Sequence, residues 1–251
     1  MLAPSPSSFP HASDNNTRRL AVSRGGARVP TSVWVPTSGH SRGIVLACHG
    51  GSGHKESPAI LAIAQECLPL GLTVLAIDGP VQGERRADGN LDPVLARTDF
   101  RAAWRAGVGR TDIAADFSAA LDALLAEPRY RGLPIGYIGV SMGTAYGLPL
   151  LAREPRIQAA AIGLWSTTYA ASEHLTGFAG EVRCPVWFTQ QWNDEFFDRA
   201  ATQELFDAIG SADKRLVAYP GPHRELEGSR LKDAVAFIAR HLGADGEGAA
   251  L

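Results

Sequence analysis

Residues 134–147, which read PIGYIGVSMGTAYG, constrain the fold of this chain more than any other stretch. An apolar run ends at one hydroxyl, Ser141, and a glycine stands two residues to either side, at Gly139 and Gly143. Small and apolar residues then recur at helical spacing, which predicts a buried strand, a very tight turn and a helix leaving the turn. This context places a serine on a strained elbow beside the free N–H groups of a helix N-terminus. Ser141 is therefore predicted to be a nucleophile, and the alternative is a glycine-rich turn without chemistry.

The rest of the chain alternates β-rich runs with stretches of helical periodicity. The predicted strands are residues 32–35, Gly43–Cys48, Leu72–Ile77, 135–140, 159–165, 185–190 and 215–219. Besides the helix after Ser141, the predicted helices are residues 58–70, 111–127, 199–209 and 224–242. This alternation predicts an α/β fold with a mostly parallel central sheet and helices on both faces. Few strands are recognisable before Gly43.

The domain organisation predicted from these patterns is simple. Residues 19–242 are expected to form a single α/β domain, preceded by a flexible N-terminal arm at 1–18 and followed by a mobile tail at 243–251. Residues 81–110 separate a strand from its helix by an unusually long connection. Because this segment leaves the carboxyl end of a strand, where open α/β sheets bind ligands, we interpret it as a lid or pocket wall. The alternative is a surface excursion with one short helix.

Composition excludes several classes of function. The chain has 251 residues, 45% of them hydrophobic, and a formal net charge of -2, so it has no electrostatic footprint for nucleic acid or an anionic membrane. No apolar stretch approaches the roughly 18 residues of a membrane-spanning helix, and the N-terminus does not resemble a secretory signal. The three cysteines, an odd number in apolar surroundings, are typical of buried thiols, so a cytoplasmic location is predicted.

A serine nucleophile needs a base and an acid that orients the base. Of the seven histidines, His223 alone follows the last predicted strand and a Pro-Gly-Pro turn, which places it in a loop at the same sheet edge as Ser141. Asp194 follows the predicted strand at residues 185–190 and is predicted to be the acid that orients His223, because Glu195 and Asp198 come where the next helix begins. The resulting order is Ser141, Asp194, His223.

The predicted oxyanion hole uses two backbone N–H groups. One belongs to Met142, the residue after the nucleophile. The other is assigned to Gly51, with Gly50 as the runner-up, in the loop HGGSG that follows Gly43–Cys48. Glycines allow a backbone to come close to a substrate carbonyl oxygen. A phosphate-binding loop is the alternative, but neither G-x-G-x-x-G nor the Walker lysine spacing is present.

The substrate pocket is predicted from strand ends. Trp165 and Trp192 each follow a strand at this edge, and Trp104 lies in the predicted lid. Together they indicate an apolar, aromatic pocket, although tryptophans are more often core residues. Gly50 and His54 are predicted to border the pocket at the oxyanion loop.

In these motifs the chain resembles the α/β-hydrolase superfamily, and within it the dienelactone hydrolase-like branch and small serine esterases. The matching pieces run through nearly the whole chain: HGGSG at 49–53, DGP at 78–80, GVSMG at 139–143, NDEFF at 193–197 and GPH at 221–223. The resemblance implies an eight-stranded, mostly parallel sheet and a Ser-His-Asp triad that acts on esters, lactones, thioesters or related acyl compounds. Dienelactone hydrolases proper use a cysteine nucleophile, whereas this chain has Ser141.

The function predicted from the sequence is hydrolysis of a carboxylic ester or lactone through an acyl-enzyme. The alternatives left open are a same-fold enzyme that cleaves amides, thioesters or C–C bonds, and a non-catalytic ligand-binding protein. The expected partner is a small-molecule acyl substrate, with no nucleic acid and no membrane, and a homodimer is left open. We expect no metal and no cofactor, because the sequence contains no motif for either.

Overall fold

The computed structural model describes residues 16–245. Their centre is a sheet of eight strands: β1 Thr17–Leu20, β2 Thr31–Trp34, β3 Gly43–Cys48, β4 Leu72–Ile77, β5 Ile135–Gly139, β6 Ile157–Gly163, β7 Val186–Gln191 and β8 Lys214–Tyr219. Their order across the sheet is β1-β2-β4-β3-β5-β6-β7-β8. All neighbours from β4 onward are parallel, and β2 pairs antiparallel with both β1 and β4. The predicted mostly parallel α/β sheet is confirmed.

Seven α-helices cover the two faces of this sheet. They are α1 Pro58–Cys67, α2 Pro93–Arg105, α3 Asp112–Leu125, α4 Met142–Arg153, α5 Leu175–Glu181, α6 Arg199–Ala208 and α7 Ser229–His241. Within β3, Ile44 packs with Phe117 of α3, whereas the next residue, Val45, packs in the opposite layer with Ile60 of α1 and Ile238 of α7. Because successive strand side chains point to opposite faces, a continuous apolar strand supplies both layers of the core.

Two of the four strands that precede Gly43, β1 and β2, complete the central sheet, and the other two, Ser23–Arg24 and Ala27–Arg28, form a separate antiparallel pair. β1 reads TRRL and its side chains are half-buried or exposed, so no apolar run marks it in the sequence. An edge strand is paired on one side only, and a polar pattern is common there. Thr17 and Arg18, the last residues of the predicted arm, belong to β1. Residues 1–15 of that arm lie outside the described part of the chain.

The C-terminal tail predicted over 243–251 begins within the described residues. The Arg42 guanidinium donates to the carbonyl of Gly243 at 2.9 Å, and Ala244 is buried. These residues therefore pack against the domain. Residues 246–251 lie outside the described range.

Two predicted helix boundaries shift for local reasons. Helix α1 ends at Cys67 and passes into a 3-10 turn, Leu68–Leu70, since Pro69 has no N–H group to continue the α-helical hydrogen bonds. Helix α7 begins at Ser229 and not at residue 224. Residues 224–228 instead form a loop that places the buried side chain of Leu226 at the sheet edge.

The long connection at 81–110 contains a 3-10 turn, Gly83–Arg85, and the thirteen-residue helix α2. The carboxylate of Asp92 accepts hydrogen bonds from the N–H groups of Val94 and Leu95, and Pro93 occupies the first helical position. This N-terminal cap starts helix α2 within a stretch of residues that are typical of turns. One face of α2 is buried against the domain, and the other is exposed.

Strand register brings the loops of interest to one edge. Cys48 at the end of β3 lies beside Gly139 at the end of β5, and Gln191 at the end of β7 lies beside Tyr219 at the end of β8. Parallel strands that end level deliver their following loops to the same place. Within residues 16–245, no helix has both the length and the apolar character needed to cross a bilayer.

Candidate active site

Ser141 occupies a strained turn between β5 and α4. Its φ of 57° and ψ of -120° lie in a region that residues with a Cβ rarely adopt. The Ser141 N–H donates to the carbonyl of Gly163 at 2.9 Å, and the Thr144 hydroxyl bonds to the same residue. A Cβ on Gly143 would lie 2.9 Å from the carbonyl oxygen of Cys48, so only glycine lets α4 start this close to β3. The predicted elbow therefore exists as strand, turn and helix.

The loops after β7 and β8 bring Asp194 and His223 to this serine. The Nε2 atom of His223 lies 3.2 Å from the Oγ atom of Ser141, and its Nδ1 atom lies 2.8 Å from Oδ2 of Asp194. The other carboxylate oxygen of Asp194 accepts from the N–H groups of Phe196 and Phe197 at 2.9 and 3.1 Å. The imidazole packs against the rings of both Phe196 and Phe197, at centroid distances of 5.2 and 5.3 Å.

These contacts determine which imidazole nitrogen carries the proton. A carboxylate is only an acceptor, so the Nδ1–H group of His223 donates to Asp194. Nε2 then has a free lone pair that accepts from the Ser141 hydroxyl. The backbone N–H of His223 donates to Oε2 of Glu195 at 2.8 Å, which fixes the loop as well as the ring. The arrangement can take a proton from Ser141 as it attacks.

The loop after β3 is held by a buried histidine. His49 donates from Nδ1 to the carbonyl of Gly50 at 2.8 Å and accepts at Nε2 from the N–H of Gly79 at 3.0 Å. Burial lowers the pKa of His49 to about 4, so the ring is neutral near pH 7 and can make both bonds. Among the described residues, no acceptor is bonded to the N–H of Gly51 or of Met142. Both groups are available to a ligand oxygen.

A buried ion pair anchors the far end of the same loop. The Lys55 ammonium group lies 3.3 Å from Asp78 and 2.6 Å from Glu84. Asp78 also accepts from the backbone N–H groups of Lys55 and Glu84. The hydrogen bond from Lys55 lowers the pKa of Glu84. This network joins the loop after β3 to the start of the 81–110 connection, and Lys55 is buried within it.

A cavity of about 220 Å³ opens over Ser141 and His223. One part of its wall is aromatic and another is polar. The aromatic part consists of Phe100, Trp165, Tyr169, Phe196 and Phe197, and the polar part of Ser52, Arg97, Arg101, Glu195, Arg224 and Glu225. Residues of helix α2 belong to both parts, so the 81–110 connection supplies a wall of this cavity.

Comparison with solved structures identifies the family. A cold-adapted esterase from an Arctic intertidal metagenomic library, in its PEG-bound complex, is 35% identical in sequence, and the match covers 90% of this chain and 93% of the esterase with a TM-score of 0.79. The chain belongs to the α/β-hydrolase superfamily. Dienelactone hydrolase from Anabaena variabilis shares its fold at 22% identity, with a TM-score of 0.63 over 90% of this chain and 96% of that one. The 2,6-dihydroxy-pseudo-oxynicotine hydrolase also shares the fold, at 18% identity and a TM-score of 0.70 over 91% and 68% of the two chains.

Neither of the two sequence-level comparisons adds to this assignment, since no family model and no curated protein matches the chain. The α/β-hydrolase assignment therefore rests on the structure and on the 35% identical esterase. It makes the chain a hydrolase. Within residues 16–245 of this hydrolase, no group of three or more His, Cys, Asp or Glu side chains is arranged to hold a metal ion.

Of the predicted pocket tryptophans, only Trp165 lines the cavity of the hydrolase. Trp104 is fully buried behind it, with ring centroids 5.4 Å apart, and its indole N–H donates to the carbonyl of Ala170. Trp192 is 50% exposed and lies outside the cavity wall, under the guanidinium of Arg199 at 3.7 Å. The pocket predictions for Trp104 and Trp192 are therefore corrected, because position after a strand does not determine side-chain direction.

The two predicted pocket residues of the oxyanion loop are also placed elsewhere. His54 is half-buried and its Nδ1 atom accepts from the N–H of Glu56, so it belongs to the loop's own bonding. Gly50 lies behind Gly51, and the space that a side chain on it would need is filled by the carboxyl group of Glu225. Gly51 itself lines the cavity.

The buried position of Trp104 leads to a stability prediction. Trp104→Ala is expected to lower the free energy of unfolding by about 3–5 kcal/mol, because it removes a fully buried indole and leaves a cavity. Trp192→Ala, at an exposed ring, is the matched control and is expected to change it by less than about 1 kcal/mol. Urea unfolding of both variants measures the difference. Equal losses would contradict the assignment of Trp104 to the core.

Several residues of the cavity wall were missed by the sequence reasoning. Phe196 and Phe197 follow Asp194 by two and three residues, and Phe100 lies in the long connection. The sequence did contain a signal for Phe196 and Phe197, because both belong to the NDEFF motif that follows a predicted strand. Glu225 carried no signal, since it lies in a segment predicted to be helical.

Proposed function

We propose that this hydrolase cleaves carboxylic esters or lactones by a Ser-His-Asp triad, Ser141, His223 and Asp194, through a covalent acyl-enzyme. The observation that carries the proposal is the hydrogen-bonded line from the Ser141 hydroxyl through the imidazole to the Asp194 carboxylate, with spacings of 3.2 and 2.8 Å. A serine in this arrangement has both a base and an orienting acid. The 35% identical relative is itself described as an esterase, which supports an ester substrate.

In the acylation step, the Ser141 oxygen attacks the carbonyl carbon while Nε2 of His223 takes the hydroxyl proton. The imidazolium then gives this proton to the leaving alcohol as the C–O bond breaks. Asp194 keeps the ring in the correct tautomer and stabilises its charged form. The N–H groups of Met142 and Gly51, which have no acceptor among the described residues, bind the oxyanion of the tetrahedral intermediate.

In the second step, water replaces the alcohol. His223 removes one of its protons as the oxygen attacks the acyl carbon, and returns that proton to Ser141 as the acyl-enzyme breaks. The products are a carboxylic acid and the free serine. No cofactor takes part in this scheme.

The cavity wall favours a substrate with an apolar part. Its five aromatic rings line the same cavity as Ser141, and aromatic walls bind aryl and alkyl groups by apolar contact. Dienelactone hydrolysis itself is not proposed, because dienelactone hydrolases proper use a cysteine where this chain has Ser141. We propose the small acyl compound as the partner, and the 81–110 connection as the wall that covers it.

Phe196 offers a test of this pocket with a matched control in the same loop. Phe196 is 43% exposed and lines the cavity, whereas Trp192, which is 50% exposed, does not. Phe196→Ala is expected to lower the ratio of kcat/KM for a phenylacetyl ester to that for an acetyl ester about tenfold, since a half-exposed ring contributes roughly 1.4 kcal/mol of apolar contact. Trp192→Ala is expected to leave the ratio unchanged. A shift in the control alone would place the pocket on the other side of the loop.

The reaction class is tested with a panel of p-nitrophenyl esters, lactones and p-nitroanilides. We expect turnover of esters, lactones or both, and kcat/KM for the amides at least about 10²-fold lower, because an amine is a poorer leaving group than an alcohol. A purely amide-cleaving profile would reject the ester assignment while keeping the triad. No turnover of any acyl compound, together with tight binding, would favour a ligand-binding protein.

A further inference from the structure

Glu225 is a carboxyl group at the active site that the mechanism above does not use. It lies two residues after His223, in the loop between β8 and α7, and it lines the same cavity as Ser141, His223 and Gly51. Its Oε1 atom fills the space that a Cβ on Gly50 would occupy. The absence of a side chain at Gly50 is therefore what allows a carboxyl group to lie against the oxyanion loop.

This carboxyl group has no protein partner. Within residues 16–245, Glu225 accepts no hydrogen bond and forms no ion pair, although Arg97, Arg101 and Arg224 line the same cavity. The other acid of the wall, Glu195, differs because it accepts from the backbone N–H of His223. Glu225 is half-buried, and neither of its carboxyl oxygens is a fully buried polar atom, so both can accept from water or from another donor that enters the cavity. Burial raises the pKa of Glu225, in keeping with this partial loss of water.

The second step of the proposed reaction requires such a donor. The attacking water has two O–H groups, and only one can point to Nε2 of His223. An acceptor for the other O–H fixes the rotation of the water and aims a lone pair at the acyl carbon. Glu195 already accepts from the backbone N–H of His223 through Oε2, whereas neither oxygen of Glu225 has a partner within residues 16–245. Glu225 follows His223 in the same loop and has a free acceptor.

We propose that Glu225 is a further catalytic residue, which holds the water that hydrolyses the acyl-enzyme between its carboxyl group and the imidazole of His223. One O–H of the water donates to Glu225 and is not transferred, while the other proton moves to Nε2 as the oxygen attacks the acyl carbon. Collapse of the intermediate releases the acid, and the proton passes from Nε2 to the Ser141 oxygen. This inference rests on the proposed function, since it needs an acyl-enzyme on Ser141.

The test separates the two half-reactions by using p-nitrophenyl dimethylcarbamate, which forms a slowly hydrolysed carbamoyl-serine. The rate of p-nitrophenol release measures attack by Ser141, and the recovery of esterase activity after removal of the reagent measures attack by water. In Glu225→Met, which has a side chain of similar length without an acceptor, we expect recovery to slow about tenfold and carbamoylation to stay within about twofold of native, because a single hydrogen bond to the water is lost.

Two further variants make the result specific. Glu225→Gln keeps an acceptor oxygen and is expected to recover within about threefold of the native rate. Glu227→Gln removes an exposed carboxylate of the same loop, outside the cavity, and is expected to match native in both steps. Thermal unfolding of all three shows which variants are folded, and if Glu225→Met is not, Glu225→Ala, which also lacks an acceptor, replaces it with the same expected slowing of recovery.

The outcomes are distinct. Slower recovery with unchanged carbamoylation supports the assignment of the water to Glu225. Unchanged recovery in Glu225→Met, or an equal loss in both steps, overturns it and makes Glu225 a structural group of the oxyanion loop. Failure of the native protein to be carbamoylated at Ser141 would reject the proposed function itself, and the inference with it.

Discussion

Ser141→Ala is expected to lower kcat for a p-nitrophenyl ester by about 10⁴-fold or more, and His223→Ala by a similar factor. Each substitution removes one end of the same proton transfer, since the imidazole accepts the proton that the hydroxyl must lose. The double variant is therefore expected to lose little beyond either single variant. The measurement is kcat and kcat/KM for all three proteins over a range of concentrations of one substrate, from below KM to saturation.

The control for this series is Ser118→Ala, on helix α3. Its hydroxyl donates to Glu154 and does not reach the cavity. We expect its kcat to stay within about twofold of native. Losses that multiply in the double variant would contradict the account, because they would mean that Ser141 and His223 act independently.

Asp194→Asn is expected to have the next largest effect, a loss of about 10³–10⁴-fold in kcat near pH 7. The amide presents an NH₂ group to Nδ1 of His223, so the ring changes to the tautomer with its proton on Nε2. That nitrogen then has no lone pair for the Ser141 hydroxyl. The amide oxygen can still accept from the N–H groups of Phe196 and Phe197, and the thermal midpoint is expected to change little. Rates and melting curves together distinguish a changed tautomer from a damaged loop.

Asp198→Asn is the matched control in the same segment. Asp198 caps helix α6 by accepting from the N–H of Ala201, and asparagine caps a helix about as well. It is expected to keep native activity. If Asp194→Asn instead retains more than about a tenth of native kcat, a different acid orients His223, and Glu195 would be the first to examine.

The sequence predicted the central strands well because they are buried on both faces. Gly43–Cys48 and Leu72–Ile77 are uninterrupted apolar runs, and both are strands with those bounds. The edge strand Thr17–Leu20 could not be predicted, because neither of its faces carries a row of apolar side chains that would mark a strand in the sequence. The predicted start of the last helix was also wrong. The local sequence of residues 224–228 is compatible with a helix, but contacts at the sheet edge hold these residues as a loop.

At the site, sequence order was enough to nominate Ser141, Asp194 and His223, since parallel strands deliver their loops to one edge. It was not enough for the pocket. Trp104 and Trp165 both have large apolar side chains near that edge, but one lies behind the other, and only packing in three dimensions decides which faces the cavity. Glu225 illustrates the same limit, because its place against Gly50 depends on two loops that are far apart in the chain.

The central claim is that Ser141 is a nucleophile activated by His223, and covalent labelling tests it most directly. The native protein is treated with a fluorophosphonate, and the site of the adduct is mapped by peptide mass spectrometry. We expect one adduct per chain, on Ser141, with none in Ser141→Ala and much slower labelling in His223→Ala. An unlabelled native protein that is folded, or an adduct on another residue, would contradict the account.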